Sequence, residues 1–282
     1  MKIVINKAKG AGFPSRDICL GILVLLVGLM PSCSCIPRAS IVIAGSTSVQ
    51  PFAEVLAEAY MGLHPGVTID IQGGGSAAGI LAAQTGAANI GMSSRALTEQ
   101  EKSLWSAEIA RDGLAIIVNP DNPIVNLTLN QAQGIYAGSI TSWSSLGGPN
   151  TKIHVVTRED GSGTRSAFES LVMSNTQITP KAIVMNSNGA VRQFVAGDSN
   201  AIGFMSLGLV DKTVKAVELE GIVASRENII NGSYGLSRPF LFLARSQPTG
   251  IVKDFIDFTL SADGERILES EGLITSLEGP IT

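Results

Sequence analysis

Cysteine is scarce and confined to the front of the chain, where Cys19, Cys33 and Cys35 are the only three in 282 residues. Everything after position 35 therefore lacks a thiol, a disulfide and a cysteine metal site. Histidine is scarcer still, with His64 and His154 alone. No HExxH run occurs, and Gly161-Ser162-Gly163 is one residue too tight on each side of the serine for a GxSxG nucleophile elbow. His64 precedes Pro65-Gly66 at a helix end and His154 sits in a strand pattern, so both read as structural. A phosphatase or serine hydrolase is therefore disfavoured. A basic surplus is missing too: the net charge is −4 and no basic stripe is visible, which argues against a nucleic-acid partner. Glycine is plentiful, at 31 residues. Glycine at that level implies tight loops, or backbone that must approach a ligand closely. With 45% hydrophobic and 16% charged residues the balance is globular, and the length suggests two lobes.

The front of the chain reads as a separate object. Lys2, Lys7, Lys9 and Arg16 face a single acid, Asp17, and an apolar run follows over 18–30. As a helix that run rises about 20 Å, short of the roughly 30 Å a bilayer core requires. A basic start, a short apolar stretch and Pro31-Ser32-Cys33-Ser34-Cys35 read as an export signal. The segment resembles a lipoprotein leader, which implies lipid attachment at Cys33 or at Cys35. A short uncleaved anchor is the alternative. Without residues 1–32 there remain 16 of the 20 basic and 23 of the 24 acidic residues, a net charge of −7.

From Ser40 onward, β-branched runs alternate with amphipathic segments. Strands are expected at 41–45, 67–72, 89–93, 114–119, 153–157, 182–186, 201–206, 216–219 and 239–244. Helices are expected at 50–63, 166–173, 191–195 and 250–271. This alternation predicts an α/β protein with largely parallel sheets. The run Asn119-Pro120-Asp121-Asn122-Pro123 and the triplet Ser237-Arg238-Pro239 are the candidate crossings between lobes. The expected organisation is a signal over 1–32, a lipid-anchor linker over 33–39, a first lobe over 40–119 and 238–282, and a second over 120–237. A double crossing of this kind permits closure on a ligand.

Three loops of glycine and hydroxyl residues each follow a strand and open a helix. They are Gly45-Ser46-Thr47-Ser48, Gly73-Gly74-Gly75-Ser76-Ala77-Ala78-Gly79 and Arg158-Glu159-Asp160-Gly161-Ser162-Gly163-Thr164-Arg165. Free N–H groups and the helix dipole favour an anion at such places, and Arg158 adds a two-pronged charge-assisted donor. Any one loop alone reads as an ordinary helix cap. The second loop lacks the lysine of a P-loop, which argues against a nucleotide. Taken together, the three can surround a small tetrahedral anion. A fourth segment, Ile90-Gly91-Met92-Ser93-Ser94-Arg95, ends another strand with two hydroxyls and a base. In the alternative it is a capped turn, with Arg95 paired to an acid such as Asp160.

At these residues the chain resembles the phosphate-binding proteins of the high-affinity phosphate ABC transporter, which are type II periplasmic binding proteins. The matching stretches are AGSTSVQP (44–51), QGGGSAAGI (72–80), IGMSSRAL (90–97), TREDGSGTR (157–165), AIGFMSLG (201–208) and RENIINGSYGLSRP (226–239). The resemblance implies two α/β lobes, two hinge crossings and a cleft that closes on one phosphate. It implies that Thr47, Ser48, Ser76, Ser94, Arg95, Arg158, Ser162, Gly163 and Thr164 touch the ligand. Asp160 is expected to hold Arg158, with Ser46 and Gly75 shaping the loops. Many relatives carry an aspartate where Ser94 stands, and that carboxylate accepts the proton of hydrogen phosphate and repels sulfate. The implied partners are phosphate, an ABC-transporter permease and, through a lipid, the outer face of the cell membrane. No cofactor is implied and a monomer is expected. A receptor for sulfate or arsenate, or a sensor or adhesion protein without transport, are the alternatives. Asn126-Leu127-Thr128 and Asn231-Gly232-Ser233 fit the glycosylation pattern.

Overall fold

The structure is a computed structural model that describes residues 39–276. The expected leader, Cys33, Cys35 and all but the last residue of the expected linker lie outside the described residues. The first strand, β1 (Ala39–Gly45), buries Ile41 and Ile43 completely. Helix α1 (Gln50–Leu63) follows, with a proline in its first turn, where the missing N–H has no helical partner to lose. β2 (Val67–Gly73), α2 (Ser76–Thr85) and β3 (Ile90–Ser93) repeat the strand–loop–helix step, and β1 pairs in parallel with both β2 and β3. The long strand β4 (Trp105–Val118) comes next, then β5 (Asn126–Leu127), α3 (Leu129–Ala137) and β6 (His154–Arg158). After them come α4 (Gly163–Phe168), prolonged by a π-helical turn at Glu169–Met173, then β7 (Ile183–Met185), α5 (Asn188–Gly197) and β8 (Ala201–Ser206). The chain continues through β9 (Lys215–Ala216), β10 (Glu218–Leu219), α6 (Arg226–Ile230) and β11 (Ser237–Ala244), and on to α7 (Gly250–Thr259) and α8 (Ala262–Ser270).

The main sheet runs β2-β1-β3-β11-β4-β8-β6-β7, with β9 beside β4. Its two ends are parallel, as expected. Its middle is not: β4 and β11 are antiparallel to each other and to their neighbours β8 and β3. The reason is directional. β4 takes the chain out of the first half and β11 brings it back, so the two must run in opposite senses.

β4 changes partner along its length. Residues 105–113 pair with β11, and residues 114–118 pair with β8. The core changes at the same point. Ile109 and Ala110 pack with Phe52, Leu56, Phe240 and Phe255, whereas Leu114, Ile116 and Val118 pack with Tyr136, Trp143, Phe168 and Phe204. On β4 strand partner and packing thus change together at Gly113/Leu114, and packing changes again between Leu236 and Phe240. In the second core the Phe168 and Phe204 rings stack at 4.1 Å and Tyr136 lies 4.5 Å from Phe168. Each buried ring of this size contributes about 2–3 kcal/mol through burial.

Two helical expectations need correction. The single helix expected over 250–271 is two helices, because Ser261 accepts from the Gly264 N–H and caps α8 afresh. Helix α3 was not expected, yet Thr128 and Gln131 form a capping box that marks its start. Among the described residues, no helix is long and apolar enough to cross a membrane.

Candidate functional site

The three glycine–hydroxyl loops meet in one buried cluster. In the first loop the Ser46 hydroxyl accepts from the N–H groups of Ser48, at 3.2 Å, and Val49, at 3.4 Å, and so folds the turn. The Ser48 hydroxyl is fully buried and is the meeting point of four elements. It accepts from Asn188 Nδ2 at 2.8 Å and from Arg238 Nη2 at 3.2 Å, and lies 2.7 Å from Thr164 Oγ1.

The second loop turns at Gly75, whose φ of 88° belongs to the left-handed region that favours glycine. Ser76 is buried and its hydroxyl accepts from the Ser94 N–H at 3.0 Å. The N–H of Ala77 donates across to the Gly161 carbonyl at 3.0 Å, which ties the second loop to the third. Gly163 also sits against this wall. A Cβ there would lie 2.1 Å from Ser76 Oγ and 2.7 Å from Ser94 Oγ. Ser162 caps α4 by accepting from the Arg165 N–H at 3.3 Å.

Arg158 ends β6 and is 1% exposed. Its Nε and Nη2 each donate to the Glu159 carboxylate at 2.8 Å, and Nη2 reaches Thr47 Oγ1 at 3.1 Å. Its Nη1 is buried with no hydrogen-bond partner. A guanidinium clamped on one edge and unspent on the other is arranged to donate to something else.

The residue that holds Arg158 is Glu159, not Asp160 as expected. Asp160 lies on the outer side of the turn with its side chain 95% exposed, and it pairs with Arg165 at 2.6 Å. Arg95 is also placed elsewhere. Its guanidinium grips Glu101 through two bonds of 2.8 Å and donates to the Ala96 carbonyl. The hydrogen bonds from Arg95 hold the Glu101 carboxyl down at about 2. Ser94 does join the cluster, fully buried beside Ser76. Thr47, Ser48, Ser76, Ser94, Arg158, Ser162, Gly163 and Thr164 are therefore brought together, and Arg95 is not.

Four residues of the cluster were missed from sequence: Asp112, Asn188, Ser206 and Arg238. Arg238 and Asp112 are register partners on β11 and β4 and are 2% and 1% exposed. Arg238 Nε and Nη2 donate to Asp112 Oδ2 at 3.1 and 3.0 Å, and Ser206 donates to Oδ1 at 2.8 Å. Burial pushes the Asp112 carboxyl up, opposed by Arg238 and Ser206. Burial also pulls Arg238 down, opposed by Asp112 and assisted by the nearby charge of Arg158. The available signal was a charge flanked by strand residues, in Arg111-Asp112-Gly113 and Ser237-Arg238-Pro239. Charges rarely go fully inside unless they are paired.

The result is a buried cluster of hydroxyls, amides and two guanidiniums, in which both nearby carboxylates, Glu159 and Asp112, are already spent on the arginines. Such a site is chemically suited to a small oxyanion. The histidines lie elsewhere: His64 packs on Tyr60 at 4.3 Å, and His154 pairs with Asp198 at 2.6 Å. Among the described residues, no group of three or more His, Cys, Asp or Glu is arranged to hold a metal.

The PBP superfamily domain matches residues 36–263, and the chain belongs to that family. Its architecture is that of a type II periplasmic binding protein. Among characterised relatives, the phosphate-binding protein PstS of Bacillus subtilis is 30% identical over 249 residues, which is 86% of this chain and 83% of that one. PstS of Borreliella burgdorferi is 27% identical over 274 residues, covering 92% and 98% of the two chains. A solved phosphate ABC transporter substrate-binding protein from Clostridium perfringens, with bound phosphate, is 44% identical at a TM-score of 0.81, covering 84% of this chain and 99% of that one. An ABC-type phosphate transport receptor from Vibrio cholerae is 44% identical at a TM-score of 0.70, with 83% and 99% covered.

Proposed function

We propose that this protein binds inorganic phosphate outside the cytoplasm and delivers it to an ABC-transporter permease for import. The observation that supports this best is the unspent Nη1 of buried Arg158, set among the Ser48, Ser76, Ser94 and Thr164 hydroxyls with no free carboxylate beside it. The similarity to phosphate receptors over most of the chain supports it independently. The binding cycle is closure of two lobes that meet at the change of partner in β4 and at the start of β11. The protein is a monomeric receptor and not an enzyme, held at the membrane by a lipid on Cys33 or Cys35.

A receptor and a phosphatase make opposite predictions. Saturating phosphate, at about 1,000 times its Kd, is expected to stabilise the folded chain by about 4 kcal/mol, read as a rise in unfolding temperature. A phosphomonoester is expected to show no turnover. Hydrolysis that disappears in Ser162→Ala would assign the site to catalysis instead.

A further inference from the structure

Arg238 is not explained by its ion pair alone. A guanidinium has five N–H donors. Nε and one Nη2 hydrogen go to Asp112, and the second Nη2 hydrogen goes to Ser48. Its Nη1 meets only Ser94, the carbonyl and the hydroxyl both at 3.5 Å, the far limit of a hydrogen bond. Arg158 shows the same division, with one edge clamped by Glu159 and Nη1 unspent. Both arginines are buried, and both donate to adjacent hydroxyls of one loop, Thr47 for Arg158 and Ser48 for Arg238. Two cations with unspent edges in one dehydrated space are unfavourable on their own and favourable around an anion.

Resting on the reading of the cleft as a phosphate site, we infer that Arg238 is a second anion-binding residue, gripping the same oxyanion as Arg158 through its Nη1 edge. Asp112 is its positioning residue. Ser206 fixes one oxygen of that carboxylate, and the other takes both arginine bonds, so the guanidinium plane is set. Ser206 in turn donates its N–H to Asn188 Oδ1 at 3.3 Å, and Asn188 donates to Ser48. The support closes into a ring through Asp112, Ser206, Asn188, Ser48 and Arg238. The two arginines come from different places: Arg158 ends β6 in the second half, whereas Arg238 lies on the strand that returns to the first. An anion held by both is therefore held at the hinge as well as at the wall.

The test is calorimetric titration of the full chain with inorganic phosphate, comparing wild type with the double variant Asp112→Asn, Arg238→Gln. The double variant removes the cation without stranding a buried carboxylate. We expect its unfolding temperature without ligand to stay near that of the wild type and its phosphate affinity to fall about 100-fold. Affinity within about threefold of wild type would reduce Arg238 to a structural ion pair and overturn the inference. Should the double variant fail to fold, the structure of the wild type with phosphate decides. Arg238 Nη1 within about 3.2 Å of a phosphate oxygen supports the inference, and Nη1 hydrogen-bonded to protein alone overturns it. A wild type that takes up no phosphate overturns the proposed function itself, which is a different result from a wild type that binds and a double variant that binds equally.

Discussion

Replacing Gly163 with valine is expected to weaken phosphate binding about 100-fold while leaving each half of the protein folded. The position is closed to any side chain. A Cβ would sit 2.1 Å from Ser76 Oγ and 2.9 Å from Ser76 Cβ, so rotating the hydroxyl away does not clear it. Ser76 opens α2 in the first half and Gly163 opens α4 in the second. The added methyls therefore act as a wedge between the halves, not as a defect within either core. Overpacking of this kind costs about 1–3 kcal/mol, and the upper end of that range corresponds to about 100-fold in affinity. Titration with phosphate reads the loss, and thermal unfolding without ligand reads the intact fold. Affinity within about threefold of wild type would mean that the loops are not pressed together when phosphate is bound.

Arg158→Ala is the second large effect. It removes a buried charge-assisted donor and is expected to cost about 2–5 kcal/mol of binding. The fold should tolerate it, because the partner left behind, Glu159, is 29% exposed and can reach water. Glu159→Gln is the informative companion. It keeps the arginine charge, and the amide still accepts one hydrogen bond, so it should cost much less than loss of the arginine. An Arg158→Ala protein that binds phosphate as tightly as wild type would remove this residue from the site. A Glu159→Gln loss as large as that of Arg158→Ala would mean that orientation of the guanidinium matters more than its charge.

Local signals in the sequence reached most of this site. Strand, glycine turn, hydroxyl and helix follow one another within a few residues, so the loops at Ser48, Ser76 and Thr164 are legible as turns that open helices. Helix α1 is legible from end to end because its apolar spacing is regular and a proline marks its start. The failures lie in side-chain direction and in strand register. Asp160 and Glu159 are adjacent acids beside one arginine, and only the direction in which the turn at Gly161 throws each side chain decides which one clamps it. Arg95 stands one residue past a buried serine, but Glu101 waits six residues on and takes it. The pairing of Arg238 with Asp112 spans 126 residues and depends on the antiparallel register of β4 and β11, which no local pattern announces. The middle of the sheet escapes sequence reasoning for the same reason, since β4 and β11 look like the other strands until their direction is known.

The most direct test of the central claim is calorimetric titration of the protein with phosphate and with sulfate in parallel, at pH 6 and at pH 8. The account predicts one saturable phosphate site per chain at both pH values, in a site with no free carboxylate to turn sulfate away. Comparable binding of both anions would make this a general receptor for tetrahedral oxyanions, with the Ser94 hydroxyl failing to discriminate where a carboxylate would. No heat from phosphate at either pH would contradict the account outright.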